Sequence, residues 1–211
     1  MCASPGNKTT HLAEMSNNKA FITALDKTDK KVETIRKNCE IQGVSCVKAF
    51  MYNSIRCVSN EKHRNDGPPF PPNHFDKVLL DAPCSGLGQR PRLVQNDMSC
   101  KMLESYEILQ RKLFNAAVNV LKVGGMLVYS TCTVTMGENE GLVKWALEKY
   151  PCLQLIPAAP LCGGPGLPDS GLSDSERLMV QRFGPNDDPL RPVDEIYKNS
   201  IGFFIAAFRK V

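Results

Sequence analysis

Short apolar runs, each ending in or closely followed by a polar side chain, alternate along this chain with stretches of helical periodicity. The first such runs are AFITALD at 20–26, SCVKAF at 45–50 and FDKVLLD at 75–81. Between the first two, Val32, Ile35 and Cys39 recur at helical spacing, and Gly43 ends that stretch. Apolar strands separated by helices are typical of a parallel sheet covered on both faces. The pattern therefore predicts an α/β fold with a mostly parallel sheet.

The second half of the chain continues this alternation. It contains, in order, the helical stretch SYEILQRKLFNAAVNVLK, the strand GGMLVYSTCT, the helical stretch ENEGLVKWALEKY, the strand LQLI and the last strand SIGFFIAAF at 200–208. Residues 157–192 are rich in Pro, Gly and Asp and predict a long excursion, interrupted by a helical SDSERLMVQRF. A chain of 211 residues with 42% hydrophobic content can bury one substantial core, so we expect one domain.

Cysteine usage and hydropathy argue against several classes of protein. The nine cysteines form no CxxC pair and have no histidine at ligand spacing, which argues against a disulfide framework and against a metal site. No apolar run approaches the roughly 20 residues that span a bilayer, and the N-terminus lacks the pattern of a signal peptide. We expect a cytoplasmic, monomeric protein without membrane or metal contacts. Its net charge of +4 is compatible with an anionic partner.

Polar residues at the ends of the predicted strands are the candidates for ligand binding, because ligands of open α/β sheets bind there. The loop CASPGNKT precedes a helix, and Gly6 would let its backbone approach a ligand. Asp26 lies 20 residues beyond Gly6, where nucleotide-binding folds place an acid on ribose hydroxyls. Since GxGxxG is absent, S-adenosylmethionine fits better than a dinucleotide. An ordinary turn and a solvated acid are the alternative interpretation.

Three further strand ends carry chemistry. Asn53 could meet an adenine edge, because its amide both donates and accepts hydrogen bonds, or it could be a turn residue. Asp81 could face a ligand or cap a turn. Cys132 should lie beside Cys84 if the strands FDKVLLD and GGMLVYSTCT are neighbours. The pair would then be a candidate nucleophile site, although a free cysteine is more often a packing residue.

Four motifs together resemble the Sun-domain family of RNA cytosine-C5 methyltransferases. They are CASPGNKT, DAPCSGLGQRP, YSTCT followed by ENE, and the closing QRF and GFFIA segments. The segments GQRP, LQRKLF and SIGFFIA are most similar to the branch that modifies tRNA near its acceptor end. The resemblance implies a Rossmann-like class I methyltransferase fold, S-adenosylmethionine as cofactor and RNA as partner.

The resemblance also assigns catalytic roles. Cys132 would be the nucleophile that adds to C6 of cytosine, so that C5 can attack the methyl group of the cofactor. Cys84 would assist release of the methylated product, and Asp81 would contact the base at N3 and its amino group. The target base would have to leave its stack. Arg90, Arg92 and Lys101 are candidates for phosphate contacts, with solvated surface charge as the alternative.

The family pattern places the first loop around the cofactor. The implied cofactor-binding residues are Cys2, Ala3, Ser4, Pro5, Gly6, Asn7, Lys8, Asp26 on the ribose, Asn53 at the adenine position and Asp81 near the methionine end. Two positions depart from the family: Asn7 replaces a second glycine, and Asn53 replaces an aspartate. Because Asn7 restricts a backbone with positive φ, and Asn53 has lost a charge, we expect both changes to weaken cofactor binding.

In the family, a strand precedes the first loop and lies at the centre of the sheet, whereas here Met1 occupies the position before Cys2. We therefore expect residues 1–211 to form the catalytic domain, the C-terminal part of such an enzyme, with neither that first central strand nor the RNA-binding PUA domain. We expect weak or no activity from this chain alone. A non-catalytic fragment that binds RNA or a protein is the alternative. A small-molecule methyltransferase is disfavoured, because two cleft cysteines would have no role in one.

Overall fold

The computed structural model describes residues 1–61, 66–90, 98–185 and 188–211. Helices and strands alternate through most of this part of the chain, as the hydrophobic pattern predicts. The elements are α1 (Asn7–Met15), β1 (Ile22–Asp26), α2 (Asp29–Ile41), β2 (Val47–Met51), a 3-10 turn (Ser54–Arg56), β3 (Phe75–Asp81), α3 (Cys100–Val120), β4 (Leu121–Thr131), α4 (Glu140–Lys149), β5 (Leu153–Ile156), α5 (Asp174–Arg177), β6 (Gln181–Phe183), α6 (Glu195–Lys198) and β7 (Phe203–Lys210).

The strands form two separate sheets. In the first, β1 and β2 run parallel, with Ile22 opposite Val47. The second has the order β3-β4-β7-β5, and β6 also pairs with β7. Here β3 and β4 are parallel, but β7 runs antiparallel to β4, β5 and β6. The second sheet is therefore mixed, and the prediction of a mostly parallel sheet is wrong for its C-terminal half, because a buried strand has the same apolar pattern in either direction.

The two sheets are connected by the first residues of the chain. The amino group of Met1 donates a hydrogen bond of 2.6 Å to the carbonyl of Leu79 in β3. The amide of Ala3 donates one of 2.9 Å to the carbonyl of Leu25 in β1. Within the described residues no strand pairs with both β1 and β3. The expected α/β fold is confirmed.

The hydrophobic core follows the division of the sheets. A large cluster surrounds β3, β4 and β7 and includes Phe114 of α3, Tyr129 of β4 and Phe208 of β7, all fully buried. A smaller cluster joins Ala24 of β1 to Ile35 and Cys39 of α2. The ends of β1, β3 and β4 are therefore set by packing on two neighbouring cores.

Most of one predicted helix is not helical in the structure. Of the predicted helical stretch 173–183, only Asp174–Arg177 is helical, and Gln181–Phe183 forms β6 on the edge of β7. The helix begins at a capping box, in which Ser173 and Glu176 exchange hydrogen bonds. The final strand pairs only from Phe203, three residues later than predicted. No helix in the described residues is long and apolar enough to cross a membrane.

Candidate active site

A cavity of about 770 Å³ opens at the carboxyl ends of β1, β2, β3 and β4. Its volume is within the range of small-molecule sites. Most of the strand-end residues that the sequence predicts line it. The lining residues are Cys2, Ser4, Asp26, Lys27, Lys31, Tyr52, Asn53, Ser54, Ile55, Asp81, Ala82, Pro83, Cys84, Ser85, Gly86, Gln89, Leu109, Leu113 and Cys132.

The predicted cofactor loop reaches this cavity through two of its seven residues. Cys2 and Ser4 line the wall, and the amide of Ser4 donates a hydrogen bond of 3.0 Å to Oδ2 of Asp26. The other loop residues are not among those that line the cavity; they are Ala3, Pro5, Gly6, Asn7 and Lys8. The loop therefore contributes its first turn to the cavity and turns away into α1.

The glycine and asparagine of this loop have different roles from those expected. Gly6 has φ +108°, and a Cβ there would lie 3.4 Å from Cα of Ile35, so the missing side chain makes room for α2. Asn7 is the first residue of α1 and is not among the residues with positive φ. The expected backbone restriction at Asn7 is therefore wrong, because the helix accepts any L-residue at this position. Cys2 instead has a positive φ, +57°.

Two residues predicted to bind the adenosine part line the cavity with hydrogen bonds already made. Asp26 is 5% exposed, and its Oδ1 accepts a bond of 2.7 Å from the amide of Lys27. The ammonium of Lys31 lies 3.6 Å from the same oxygen. Asn53 precedes the 3-10 turn, and its Oδ1 accepts from the amide of Ile55 at 3.1 Å. Asn53 is thus a turn residue in the cavity wall, with its NH₂ group as the remaining donor.

Asp81 is held at the end of β3 by two partners. Its Oδ2 lies 2.8 Å from the Lys8 ammonium, and its Oδ1 accepts a hydrogen bond of 2.8 Å from Ser130 at the end of β4. The ammonium of Lys8 also lies 5.2 Å from the centre of the Phe203 ring. Lys8, which the resemblance assigns to the cofactor, therefore contacts the carboxylate that the resemblance places near both the base and the methionine end of the cofactor.

The two predicted catalytic thiols are in direct contact. Because β3 and β4 are parallel neighbours, their following loops place the Sγ atoms of Cys84 and Cys132 3.3 Å apart. Gln89 Nε2 donates a longer hydrogen bond of 3.6 Å to Cys132 Sγ. The expected proximity of the two thiols is confirmed, whereas their individual roles stay predictions.

The contact shifts the pKa values of the two thiols in opposite directions. A hydrogen bond from Cys84, with help from Gln89, lowers the pKa of Cys132 to about 6, against the opposing effects of burial and of the Asp81 carboxylate. The same hydrogen bond, followed by burial, raises the pKa of Cys84 well above that of an ordinary thiol. These opposite directions favour Cys132 as the thiolate of the pair and Cys84 as the thiol that keeps its proton. A low-pKa thiolate in a cavity is the chemical form of a nucleophile.

Sequence reasoning missed several residues of this site. Tyr52 and Lys31 line the cavity, but nothing in their local sequence marks them, and Gln89 lies in the motif DAPCSGLGQRP without a predicted role. Glu138, the first residue of the ENE motif, is fully buried and accepts hydrogen bonds from the loop of Cys84. The sequence marks this motif only as part of the family resemblance, and a short polar run before an apolar helix is the available signal. No cluster of three candidate metal ligands occurs in the part of the chain that the structure describes.

Two of the three predicted phosphate contacts, Arg90 and Lys101, are exposed and are not among the residues that line the cavity. The third, Arg92, lies outside the described residues. The exposure of Arg90 and Lys101 agrees with either a phosphate contact or a solvated charge, so the two alternatives remain.

Comparison with known proteins identifies the family and the relatives to which this chain is similar. The profile of the family described as 16S rRNA methyltransferase RsmB/F matches residues 1–166. The tRNA (cytosine(72)-C(5))-methyltransferase NSUN6 of Homo sapiens is 45% identical over the whole chain, which covers 48% of that relative. The tRNA (cytosine(72)-C(5))-methyltransferase of Pyrococcus horikoshii is 36% identical, and the chain covers 46% of it.

A solved structure agrees with this relationship. The crystal structure of NSun6 from Pyrococcus horikoshii with SFG matches the entire chain with a TM-score of 0.79 at 35% identity, and the match covers 47% of that structure. The chain thus spans about half the length of the curated relatives that it matches. With its motifs, its Rossmann-like fold and the profile match in agreement, the chain belongs to the RsmB/F family, the Sun-domain family of RNA cytosine-C5 methyltransferases.

Proposed function

We propose that residues 1–211 are the catalytic domain of an S-adenosylmethionine-dependent RNA cytosine-C5 methyltransferase that forms 5-methylcytosine in tRNA. The observation that carries this proposal is the contact of 3.3 Å between Cys84 and Cys132 at the wall of the cavity. The names of the human and archaeal relatives, both tRNA methyltransferases, support the choice of tRNA. We further propose that the protein acts as a monomer in the cytoplasm, without a metal ion.

The cavity fits the cofactor that this reaction needs. The buried carboxylate of Asp26 can accept from ribose hydroxyls, the NH₂ group of Asn53 can donate to an adenine edge, and Cys2 and Ser4 shape the wall between them. A relative in this family was solved with SFG, an analogue of S-adenosylmethionine. When bound, S-adenosylmethionine supplies an electrophilic methyl group.

Cys132 carries out the covalent step on the RNA. Its thiolate adds to C6 of the target cytosine and forms an S–C6 bond, which makes C5 electron-rich and able to take the methyl group. After methylation, loss of the C5 proton restores the C5–C6 double bond and the S–C6 bond breaks. The low pKa of Cys132, caused by the hydrogen bond from Cys84, favours both the attacking and the departing thiolate.

Cys84 and Asp81 assist at opposite ends of the base. Cys84 keeps its proton and lies 3.3 Å from Cys132 Sγ, so it can stabilise the thiolate that departs from C6. Asp81, fixed between Lys8 and Ser130, would contact N3 and the amino group of the cytosine. A base can reach these groups only after it leaves the stack of its helix, so we infer that the target is unpaired or flipped.

A second candidate function is a catalytically weak fragment that binds RNA or a protein partner. The observation that favours it is the separation of the β1–β2 sheet from the β3–β4–β7–β5 sheet, because the cavity lies across their junction. Methyl transfer from labelled S-adenosylmethionine to tRNA by residues 1–211 distinguishes the two. Turnover that matches a full-length family member would reject the fragment interpretation.

The assignment of the cysteines is tested with Cys84→Ala. Without the second thiol, the Cys132 adduct with RNA should persist and give a shifted protein band on a denaturing gel in the presence of cofactor. Cys132→Ala is the matched control and should give no band. An adduct in Cys132→Ala but not in Cys84→Ala would reverse the two roles, and its absence from both variants together with inactive wild type would reject the function.

A further inference from the structure

The residues that directly follow the two cysteines are hydrogen-bonded to each other. Ser85, directly after Cys84, and Thr133, directly after Cys132, share a hydrogen bond of 2.7 Å between their hydroxyl groups. Both residues are buried, at 6% and 1% exposure. A shift of either loop would therefore change the Sγ–Sγ distance between Cys84 and Cys132.

Glu138 fixes the Cys84 side of this junction. Its side chain is fully buried, and its Oε2 accepts hydrogen bonds from the Ser85 amide at 3.0 Å and from Gln110 Nε2 at 2.7 Å. Its Oε1 accepts from the Ser85 hydroxyl and from Thr135 Oγ1. Gln110, on α3, also donates to the carbonyl of Pro83, the residue before Cys84. One carboxylate thus joins the loop after β3, the loop after β4 and α3.

Asn139 fixes the Cys132 side. Its Oδ1 accepts a hydrogen bond of 2.6 Å from Thr131, and its Nδ2 donates one of 3.1 Å to the carbonyl of Thr133. Thr131 and Thr133 are the residues directly before and after Cys132. Asn139 therefore holds the side chain of Thr131 and the backbone of Thr133, the two neighbours of the proposed nucleophile, and it is fully buried.

Glu140, the third residue of the run, is equally buried but holds a different part of the molecule. Its Oε1 lies 2.7 Å from Arg182 Nε and accepts a hydrogen bond of 2.9 Å from the amide of Leu167. These partners belong to β6 and to the excursion before α5. Glu140 therefore supplies a control of the same charge and burial that makes no hydrogen bond of its own to the residues beside the cysteines; among the described residues, only its partner Arg182 reaches that region, at the carbonyl of Val134.

We propose that Glu138 and Asn139 are positioning residues that hold the thiols of Cys84 and Cys132 in hydrogen-bond contact, a role that rests on the function proposed above. Neither residue touches a sulfur atom in the hydrogen bonds described here. They act through Ser85, Thr131 and Thr133. The charged groups beside the thiols are Asp81 at the end of β3 and its partner Lys8 on α1, and both stay in place in the variants below.

The test measures the thiol pair itself, in the 211-residue protein without cofactor or RNA. Alkylation of Cys132 by iodoacetamide, followed by peptide mass spectrometry, gives its rate as a function of pH. In Glu138→Ala we expect the rate at pH 7 to fall about tenfold and the midpoint to move to higher pH, because the Cys84 thiol loses its fixed position. Glu140→Ala should lose stability but keep the rate and the midpoint of the wild type.

The conservative variant Glu138→Gln distinguishes positioning from charge. Its oxygen can face the two N–H donors while its NH₂ group faces the hydroxyls of Ser85 and Thr135, which can rotate to accept. We therefore expect Glu138→Gln to restore most of the Cys132 reactivity. Loss of a nearby negative charge would by itself lower the pKa of Cys132, which is opposite to the change expected in Glu138→Ala.

Two further variants keep the proposal testable if Glu138→Ala does not fold. Asn139→Asp keeps the bond from Thr131 but loses the one to Thr133, and Ser85→Ala removes the hydroxyl that joins the loops. Both should slow alkylation of Cys132 at pH 7. Wild-type reactivity in these folded variants, or equal losses in Glu140→Ala, would overturn the proposal. If the protein methylates no RNA, the alkylation result still decides the positioning role, so the two proposals can fail separately.

Discussion

At the scale of single residues, the thiol pKa of cysteine is shifted in opposite directions at different positions of this fold. Burial raises the pKa of Cys57, in the core, to about 11, so that this thiol is inert at neutral pH. Cys132 is only half-buried, and the hydrogen bond from Cys84 outweighs that burial and lowers its pKa to about 6. The contact with Cys84, together with lesser burial, therefore separates the proposed nucleophile from a packing residue.

Removal of the Cys84 thiol should return Cys132 to ordinary reactivity. In Cys84→Ala the pKa of Cys132 rises from about 6 because the first cause of its lowering is gone. At pH 7 its thiolate fraction then falls about tenfold or more, and so does its alkylation rate. Gln89→Ala should cause a smaller decrease, since its hydrogen bond to Cys132 is longer, at 3.6 Å. An unchanged pH profile in Cys84→Ala would contradict this account of the pair.

Cofactor binding at Asp26 can be tested with a substitution that preserves shape. Asp26→Asn removes the negative charge beside Lys31 and leaves one oxygen to serve the amides of Ser4 and Lys27. We expect S-adenosylmethionine to bind about tenfold more weakly, by isothermal titration calorimetry, because one acceptor for a ribose hydroxyl is lost. Glu33→Gln, on the exposed side of α2, is the control and should bind as the wild type does. Equal affinities in both variants would remove Asp26 from the site.

At the scale of secondary-structure elements, α1 and α2 meet through a glycine. Gly6 has φ +108°, and a Cβ would lie 3.4 Å from Cα of Ile35. Gly43 also has positive φ, +65°, but a Cβ there meets nothing within 4 Å. The two glycines therefore differ in backbone conformation, and a Cβ at Gly6 would make an ordinary contact with α2 where one at Gly43 would make none.

Substitution of either glycine by alanine should destabilise the protein, but to different degrees. We expect Gly43→Ala to lower the free energy of unfolding by about 1 kcal/mol, and Gly6→Ala by more than that, about 2 kcal/mol, because φ +108° lies outside the left-handed region that an L-residue can adopt at φ +65°. Urea unfolding of the two variants measures the difference. Equal losses would mean that the backbone at Gly6 costs an L-residue no more than the backbone at Gly43.

The elements that the sequence predicts correctly are those with a local signal. Strands β1 and β3 end at Asp26 and Asp81 as expected, because an apolar run and a polar stop specify them directly. For the residues of β6 the sequence predicts helix, because SDSERL contains a helical capping box. The pairing of Gln181–Phe183 with β7 depends on a distant segment, which no local pattern indicates. The requirement for Gly88 is equally hidden: a Cβ would lie 2.2 Å from the carbonyl oxygen of Gly202.

Within the site, the sequence could place the two thiols but not what holds them. Their proximity follows from two strand ends once β3 and β4 are neighbours, and the order of elements favours that arrangement. The contact from Glu138 to Ser85 spans 53 positions and depends on how α4 begins after the turn that follows β4. No local sequence pattern predicts a hydrogen bond between residues so far apart in the chain.

At the scale of the whole molecule, the two sheets have unequal support. Strands β4 and β7 lie in the large cluster with Tyr129 and Phe208, whereas β1 and β2 rest mainly on the small cluster of Ala24, Ile35 and Cys39. We expect amides of β1 and β2 to exchange with deuterium faster than those of β4 and β7, because fewer apolar contacts oppose local opening. Hydrogen exchange read by mass spectrometry of peptides from each sheet measures this. Equal protection would show that the sheets open together.

The division between the sheets also affects how a ligand acts on the protein. The lining of the cavity comes from both sides of the junction: Asp26 and Asn53 lie at or just after the ends of β1 and β2, and Asp81 and Cys84 lie at or just after the end of β3. A molecule bound there bridges two bodies that the chain itself joins at this edge through the amino group of Met1 and the amide of Ala3. By mass action, a ligand at 100 times its dissociation constant adds about 2.7 kcal/mol to the stability of the form that binds it. The concentration of cofactor would then regulate the fraction of molecules in which the site is assembled, as well as the rate at which assembled sites turn over.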